Sequence, residues 1–252
     1  MFELPLDLVV MLIGAAFAAG VVDSIAGGGG LITVPALLLA GVPPVQSLAT
    51  NKIQGTFGAA TAAISYAASG HVVLRKQLLA AVIGFLGGLA GALLVSRIPT
   101  DKIEIALPFI LVAIAAFFAL RPGLDDTDRV QRIRPGLFTA AFVPVIGFYD
   151  GLIGPGTGSF FMIGFVTLAG YGVLKATAHT KLLNFSSNIG GLTGFLLVGS
   201  PLWVLGIAMG LAQIAGARLG SRLAMRVGAR LIKPLLVTTS TLLAAKLLWD
   251  LM

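Results

Sequence analysis

Apolar residues run along this chain in stretches of membrane-spanning length, separated by short polar, proline or glycine-rich turns. In the first half the pattern predicts helices over Leu6–Ala26, Leu31–Ala40, Gln46–Ser69, Gln77–Ser96 and Ile103–Leu120. In the second it predicts Pro135–Tyr149, Pro155–Ala169, Leu174–Val198, Leu202–Ser221 and Leu231–Trp249. The runs Leu31–Ala40, Pro135–Tyr149 and Pro155–Ala169 fall short of the roughly 20 residues that cross a bilayer squarely. They read either as half-helices that enter and return or as short tilted spans buried by their neighbours. A β-barrel would need short segments of alternating polarity, and none is found. The expected class is therefore all-α and polytopic.

The two halves repeat one another. Asp23 is followed by Gly27-Gly28-Gly29-Gly30, then Pro35, the turn Gly41-Val42-Pro43-Pro44 and Thr50-Asn51-Lys52. Asp150 is followed by Gly154-Pro155-Gly156-Thr157-Gly158, the turn Gly170-Tyr171-Gly172 and His179-Thr180-Lys181. Asp150 lies 127 residues after Asp23 and Lys181 lies 129 after Lys52, so the copies keep register within two residues. A glycine run cannot hold a helix in lipid, because each glycine costs about 1 kcal/mol against alanine and unpaired amides have no water to meet. Such breaks survive where the backbone is buried in protein or lines a cavity, and paired breaks in two halves point to a transporter's binding site. The chain divides into a first repeat (1–120), an inter-repeat loop (121–134) and a second repeat (135–252).

Composition agrees: 57% of the 252 residues are hydrophobic, 11% are charged and the mean hydropathy is +1.00. The net charge of +7 would suggest nucleic acid in a soluble protein. Here the basic residues sit at segment ends, where they set orientation, so no nucleic-acid partner is expected and lipid is. If each first pair of segments returns to its own side, the halves are inverted. One side then collects Arg75, Lys76, Arg121, Arg129, Arg132, Arg134, Lys175, Arg218, Arg222, Arg226, Arg230 and Lys233, against Arg97, Lys102 and Lys246 on the other. A parallel arrangement leaves the split nearly even. The positive-inside rule selects inverted repeats with both termini outside and the loop in the cytoplasm. Met1-Phe2-Glu3 lacks a basic leader, so the first run reads as a retained helix. With no cysteine there is no disulfide or thiolate metal site.

A lysine at membrane depth costs about 2.5–3.5 kcal/mol on insertion scales, which makes Lys52 and Lys181 functional candidates. The plainer alternative is that each ammonium snorkels or bonds to broken-helix carbonyls. Lys181, Asn184 and Asn188 share a helical face, with Thr180, Ser187 and Gly191 beside them, and Asn51, Gln54, Gly55 and Gly58 flank Lys52. Asn188 and Ser187 read equally well as interhelical hydrogen-bonding groups. The breaks at Gly28, Gly29, Gly30 and at Gly156, Thr157, Gly158 open helix N-termini, whose amides and dipoles favour an anion. Asp23 and Asp150 are expected to cap those amides or pair with a lysine, and they are also candidates for a coupling proton. His179 is a further proton candidate, although a single histidine more often makes a structural hydrogen bond. Glycines at four-residue spacing, Gly84, Gly87, Gly88, Gly91 and Gly206, Gly210, Gly216, Gly220, are assigned to helix packing. His71 and His179 stand alone, so no metal site is expected. No nucleophile has a base at helical spacing, so no enzyme and no cofactor is expected.

At these residues the chain resembles the sulfite exporter TauE/SafE family of sulfur-anion membrane transporters. The glycine run with Pro35, the Gly41-Val42-Pro43-Pro44 turn, Thr50-Asn51-Lys52 and the partner ending in Thr180-Lys181 carry the likeness across nearly the whole chain. The second break departs from the usual pattern, with Pro155 and Thr157 among its glycines. The resemblance implies a secondary transporter in the bacterial inner membrane that exports sulfite, a sulfonate or a similar small oxyanion. The substrate contacts expected are Gly28, Gly29, Gly30, Asn51, Lys52, Gln54, Gly156, Thr157, Gly158, Thr180, Lys181 and Asn184. An anion channel, an uptake permease for another small organic anion, and a non-transporting membrane scaffold or enzyme are the rival readings.

Overall fold

The protein is seen here as a computed structural model that describes residues 4–95, 97–119, 127–198 and 201–228. Every regular element among the described residues is helical. The first half gives α1 (Leu6–Ala26), α2 (Gly30–Leu39), α3 (Pro44–Ala68), α4 (Leu78–Val95) and α5 (Thr100–Ala119). The second gives the single turn α6 (Pro135–Leu137), then α7 (Val143–Leu152), α8 (Thr157–Thr167), α9 (Val173–Val198) and α10 (Trp203–Val227). The expected segment Leu231–Trp249 and residues 121–126 of the loop lie outside the described residues.

Among the described residues four stretches are long and apolar enough to cross a membrane: Leu6–Ala26, Leu74–Val95, Pro135–Leu152 and Trp203–Val227. The protein is a multi-pass helical membrane protein. Helices α3 and α9 are as long but carry the polar motifs, which lowers their apolarity without exposing them, since Asn51, Lys52, Gln54, Lys181 and Asn184 are all buried. Exposed leucine, isoleucine and valine instead mark the outer faces, as at Leu79, Val82, Leu86, Ile207 and Leu211. That is the pattern of helices whose outer solvent is lipid.

One expected short segment is longer than the sequence suggested. Pro135 to Leu152 forms one continuous span, with a π-helical turn at Phe138–Phe142 immediately before Pro144. Proline cannot donate to the preceding turn and its ring crowds the carbonyl four residues back, so a widened turn there lets the helix continue. Helices α2 and α8, at 10 and 11 residues, are only about 15 Å long and do not reach across a hydrocarbon core of about 30 Å.

The packing partners exchange between the halves. Helix α1 lies on α10 and α7 lies on α4, while α3 meets α10 as α9 meets α4, and α3 and α9 meet each other. Glycines make these approaches close. A Cβ added at Gly20 would stand 2.6 Å from the Gln213 carbonyl oxygen, and one at Gly87 2.7 Å from that of Pro144. Small residues let backbones touch where no hydrophobic driving force between helices exists in lipid. The loop residues also fit one end of the bundle, since Arg129 and Arg132 donate backbone bonds to Gly170 and Leu168 (2.7 and 2.9 Å).

Candidate functional site

The site is built where the two breaks meet. Helix α1 ends at Gly27, in the left-handed region at φ 83° that a side chain would strain, and its N–H closes on the Asp23 carbonyl (2.8 Å). The chain then turns into α2 through Gly28 and Gly29. The second break runs from α7 through Gly154 (φ 94°) and Gly156 (φ 85°) into α8. The breaks are tied directly together: Ser159 N–H donates to the Gly27 carbonyl (2.9 Å) and its hydroxyl to the Ala26 carbonyl (2.7 Å). Orphan carbonyls at the end of α1 thus find donors on α8.

Each buried lysine reaches across to the other half. Lys52 Nζ on α3 lies 2.6 Å from Asp150 Oδ1 at the end of α7 and also donates to the Asp150 carbonyl. Lys181 Nζ on α9 donates to the Asp23 carbonyl at the end of α1, with Asp23 Oδ2 at 4.0 Å. Both lysines are fully buried. The arrangement answers their desolvation: each ammonium meets a carboxylate, a carbonyl and the negative end of a helix dipole. Asp23 also does the capping expected of it, its Oδ1 accepting from Gly29 N–H (3.2 Å), whereas the further donors to the Asp150 carboxylate are hydroxyls, Ser187 at Oδ2 and Thr157 3.1 Å from Oδ1.

Between the breaks lies a cavity of about 20 Å³, lined by Asp23, Gly27, Gly29, Gly30, Asn51, Gly55, Asp150, Gly154, Gly156, Thr157, Gly158, Asn184, Asn188 and Gln213. It is room for about one water, so a larger solute requires the bundle to open. The hydrogen-bond network decides what the cavity offers. Asn51 Oδ1 lies 2.7 Å from the Thr33 hydroxyl and 3.1 Å from Gln54 Nε2, which leaves its amide nitrogen toward Gly30. Asn184 Oδ1 accepts from Asn188 Nδ2 (3.2 Å), which likewise leaves the Asn184 amide nitrogen as its remaining polar end. The N-termini of α2 and α8 face the same space, with several of their amides already bonded, and so do the carboxylates of Asp23 and Asp150, so donors and acceptors line the cavity together.

Of the residues expected from the sequence, Asp23, Gly29, Gly30, Asn51, Asp150, Gly156, Thr157, Gly158 and Asn184 come together around this cavity. Lys52, Lys181 and Gln54 stand behind it. Gly28 and Thr180 do not line it, and the Thr180 hydroxyl is buried without a partner. His179 is elsewhere, in a second cavity of about 220 Å³ with Lys76, Gln77 and Tyr171, its ring 4.9 Å from that of Tyr171 and its Nδ1 2.9 Å from the Lys175 carbonyl oxygen. Sequence reasoning passed over Gln213. A single amide amid the apolar run of α10 was the available signal, and it packs against Gly58 at the cavity.

Residues 12–247 match the model of the sulfite exporter TauE/SafE family. The chain belongs to that family. It is 56% identical over 250 residues, 99% of this chain and 96% of the relative, to the probable membrane transporter protein ORF9 of a Sinorhizobium species. The probable membrane transporter protein YfcA of Escherichia coli K12 is 44% identical over 96% of this chain and 90% of its own. A probable membrane transporter protein of Haemophilus influenzae is 42% identical over 98% and 97%. No solved structure matches. As a member of this family, with bacterial relatives of nearly its own length, the chain is a membrane transporter.

Proposed function

We propose that this family member is a secondary carrier for a small sulfur-containing oxyanion, sulfite or a sulfonate, held between the two glycine breaks. The observation that carries the reading is the polar cavity at the junction of the breaks, lined by the amides of Asn51 and Asn184 and by Asp23 and Asp150, with a buried lysine from each half behind it. The amide nitrogens of Asn51 and Asn184 and the N-termini of α2 and α8 would hold the oxyanion's oxygens, while the Thr157 hydroxyl, bonded at Asp150 and Gly154, shapes the wall beside them. Lysine supplies the balancing charge. About 20 Å³ is too small for an oxyanion, so the site must widen for passage, and the carrier reading takes that widening as movement of the halves around the site. Rocking of one inverted repeat against the other provides alternating access.

The charge distribution supports an inner-membrane orientation with both termini outside and the 121–134 loop in the cytoplasm. A negative-inside potential favours outward movement of a free anion by about 2.3 kcal/mol per charge per 100 mV, and the family's name points the same way. The test is counterflow in proteoliposomes. Purified protein with unlabelled sulfite inside should transiently concentrate labelled sulfite from outside, and protein-free vesicles should not. A channel equilibrates label without overshoot, and that result would end the carrier reading.

A further inference from the structure

The two crossed pairs are unequal, and the inequality bears on how an anion can enter. Asp150 is engaged at both oxygens, by Lys52 at 2.6 Å, by Thr157 and by Ser187, and its side chain is 2% exposed. Asp23 is held by one backbone N–H at 3.2 Å, stands 4.0 Å from Lys181 and is 15% exposed. Both carboxylates line the cavity, and neither lysine does. The groups facing Asp23 are Lys181 from α9, Asp150 across the cavity from α7, and Tyr66 from α3, whose hydroxyl donates to the Ser24 carbonyl (2.9 Å). Helices α2 and α8 bring no titratable group. Helix α10 brings the neutral Gln213, its Arg218, Arg222 and Arg226 being exposed.

Two ammoniums and two carboxylates sum to zero. An anion entering alone therefore puts uncompensated negative charge in a dry site, beside two carboxylates. We propose that Asp23 takes up one proton from water with each monovalent anion, so that Lys181 exchanges Asp23 for the anion as its counter-charge and the loaded site stays neutral. The proton binds a carboxylate oxygen of Asp23 on the side from which the anion enters and leaves to water on the other. No bond other than O–H forms or breaks. The Lys52–Asp150 pair stays closed throughout as the fixed half of the site. The inference rests on the carrier reading and adds to it a charge class, bisulfite or a sulfonate monoanion, and a coupled proton. Net direction then follows the anion and pH gradients together, with outward flow where the internal anion excess exceeds the pH gradient.

The test uses the reconstituted wild-type protein and labelled sulfite at mildly acidic pH, where bisulfite predominates, with protein-free vesicles subtracted. Potentials are set by potassium and valinomycin. The expected accumulation plateau is unchanged by 100 mV and moves about tenfold per unit of imposed pH difference. A plateau that moves about 50-fold per 100 mV, the equivalent of one uncompensated charge, overturns the proposal while leaving the carrier reading intact. Absence of counterflow removes both. Asp23→Asn keeps the cap on Gly29 but has no proton to exchange, and its plateau should become potential-dependent by that same factor. A potential-independent plateau in Asp23→Asn overturns the assignment to Asp23.

Discussion

Lys52 Nζ lies 2.6 Å from Asp150 Oδ1, and the two residues come from opposite halves of the chain. The pair is buried, so its members depend on one another more than on either helix. Removing one partner leaves an uncompensated charge in the interior, which costs about 3–5 kcal/mol, whereas replacing both by apolar groups of similar volume is often nearly neutral. Lys52→Ala and Asp150→Ala are each expected to lower the unfolding temperature in detergent sharply. Lys52→Met combined with Asp150→Leu should recover most of the loss and still fail in sulfite counterflow. Additive losses in the double variant would show that the pair is not coupled.

Lys181 should behave differently. Its carboxylate partner is 4.0 Å away and partly exposed where it lines the cavity, so Lys181→Ala leaves Asp23 with Gly29 N–H and that partial exposure. The unfolding temperature is expected to fall less than in Lys52→Ala. Sulfite counterflow should fall at least tenfold, because a hydrogen bond to a charged group contributes about 1.5–3 kcal/mol. Equal stability losses in the two variants would contradict the asymmetry.

The helices and the breaks were legible because both are written locally, as apolar length and as glycine or proline. Asp23, Asn51, Asp150, Thr157 and Asn184 could be selected because a polar side chain in an apolar helix needs a reason. Which lysine meets which aspartate was not legible. Register between Asp23 and Asp150 aligns the copies but says nothing of how they face, and the crossing arises only when α3 packs on α9 and α7 packs on α9 as well. Ser187 shows the same limit. It was read as either a site residue or an interhelical bond, and its bond to Asp150 is interhelical, joining α9 to α7 at a carboxylate that lines the cavity. The span runs to Leu152 where the sequence pattern was read as ending at Tyr149. In the structure Gly151 is a packing residue pressed against Gly88.

At the end of the bundle where the loop docks, Asp128 accepts from Lys175 Nζ (2.8 Å) and Gly172 N–H (2.7 Å), and these bonds hold its carboxyl below the usual carboxylate range. A lowered folded value means that the contribution is present above the ordinary carboxylate value, about 3.9, and is lost as pH falls through the lowered one. The group is exposed, so the effect is small and weakens with salt. Asp128→Asn should flatten the acid side of a plot of unfolding temperature against pH below about 4. An unchanged slope would show that Asp128 does not tie the loop to the α8–α9 turn.

The glycine contacts separate packing from composition. A Cβ at Gly88 would collide with the Ser187 carbonyl oxygen on α9, backbone that cannot yield without moving the helix, while one at Gly14 meets nothing within 4 Å. Gly14→Ala is expected to leave stability unchanged or raise it by about 0.5–1 kcal/mol through helix propensity. Gly88→Ala should cost about 1–3 kcal/mol as an overpacked contact, and because Ser187 holds Asp150 it should slow counterflow as well. Unfolding temperature and transport measured on both variants check the contrast.

Asn51 presents only one end of its amide to the cavity. Its oxygen is taken by Thr33 and Gln54, so the amide nitrogen is what the cavity receives. Asn51→Ala removes that donor and should raise the sulfite KM about tenfold or more, the equivalent of about 1.5–3 kcal/mol for a bond to a charged group. Thr33→Val removes only a group that fixes the amide's orientation while leaving the donor in place, and its KM should rise less. The order decides between roles, because a purely structural amide would make the two substitutions alike in transport and leave only stability to distinguish them. Initial rates of labelled sulfite uptake across a concentration series, normalised to reconstituted protein, supply the comparison.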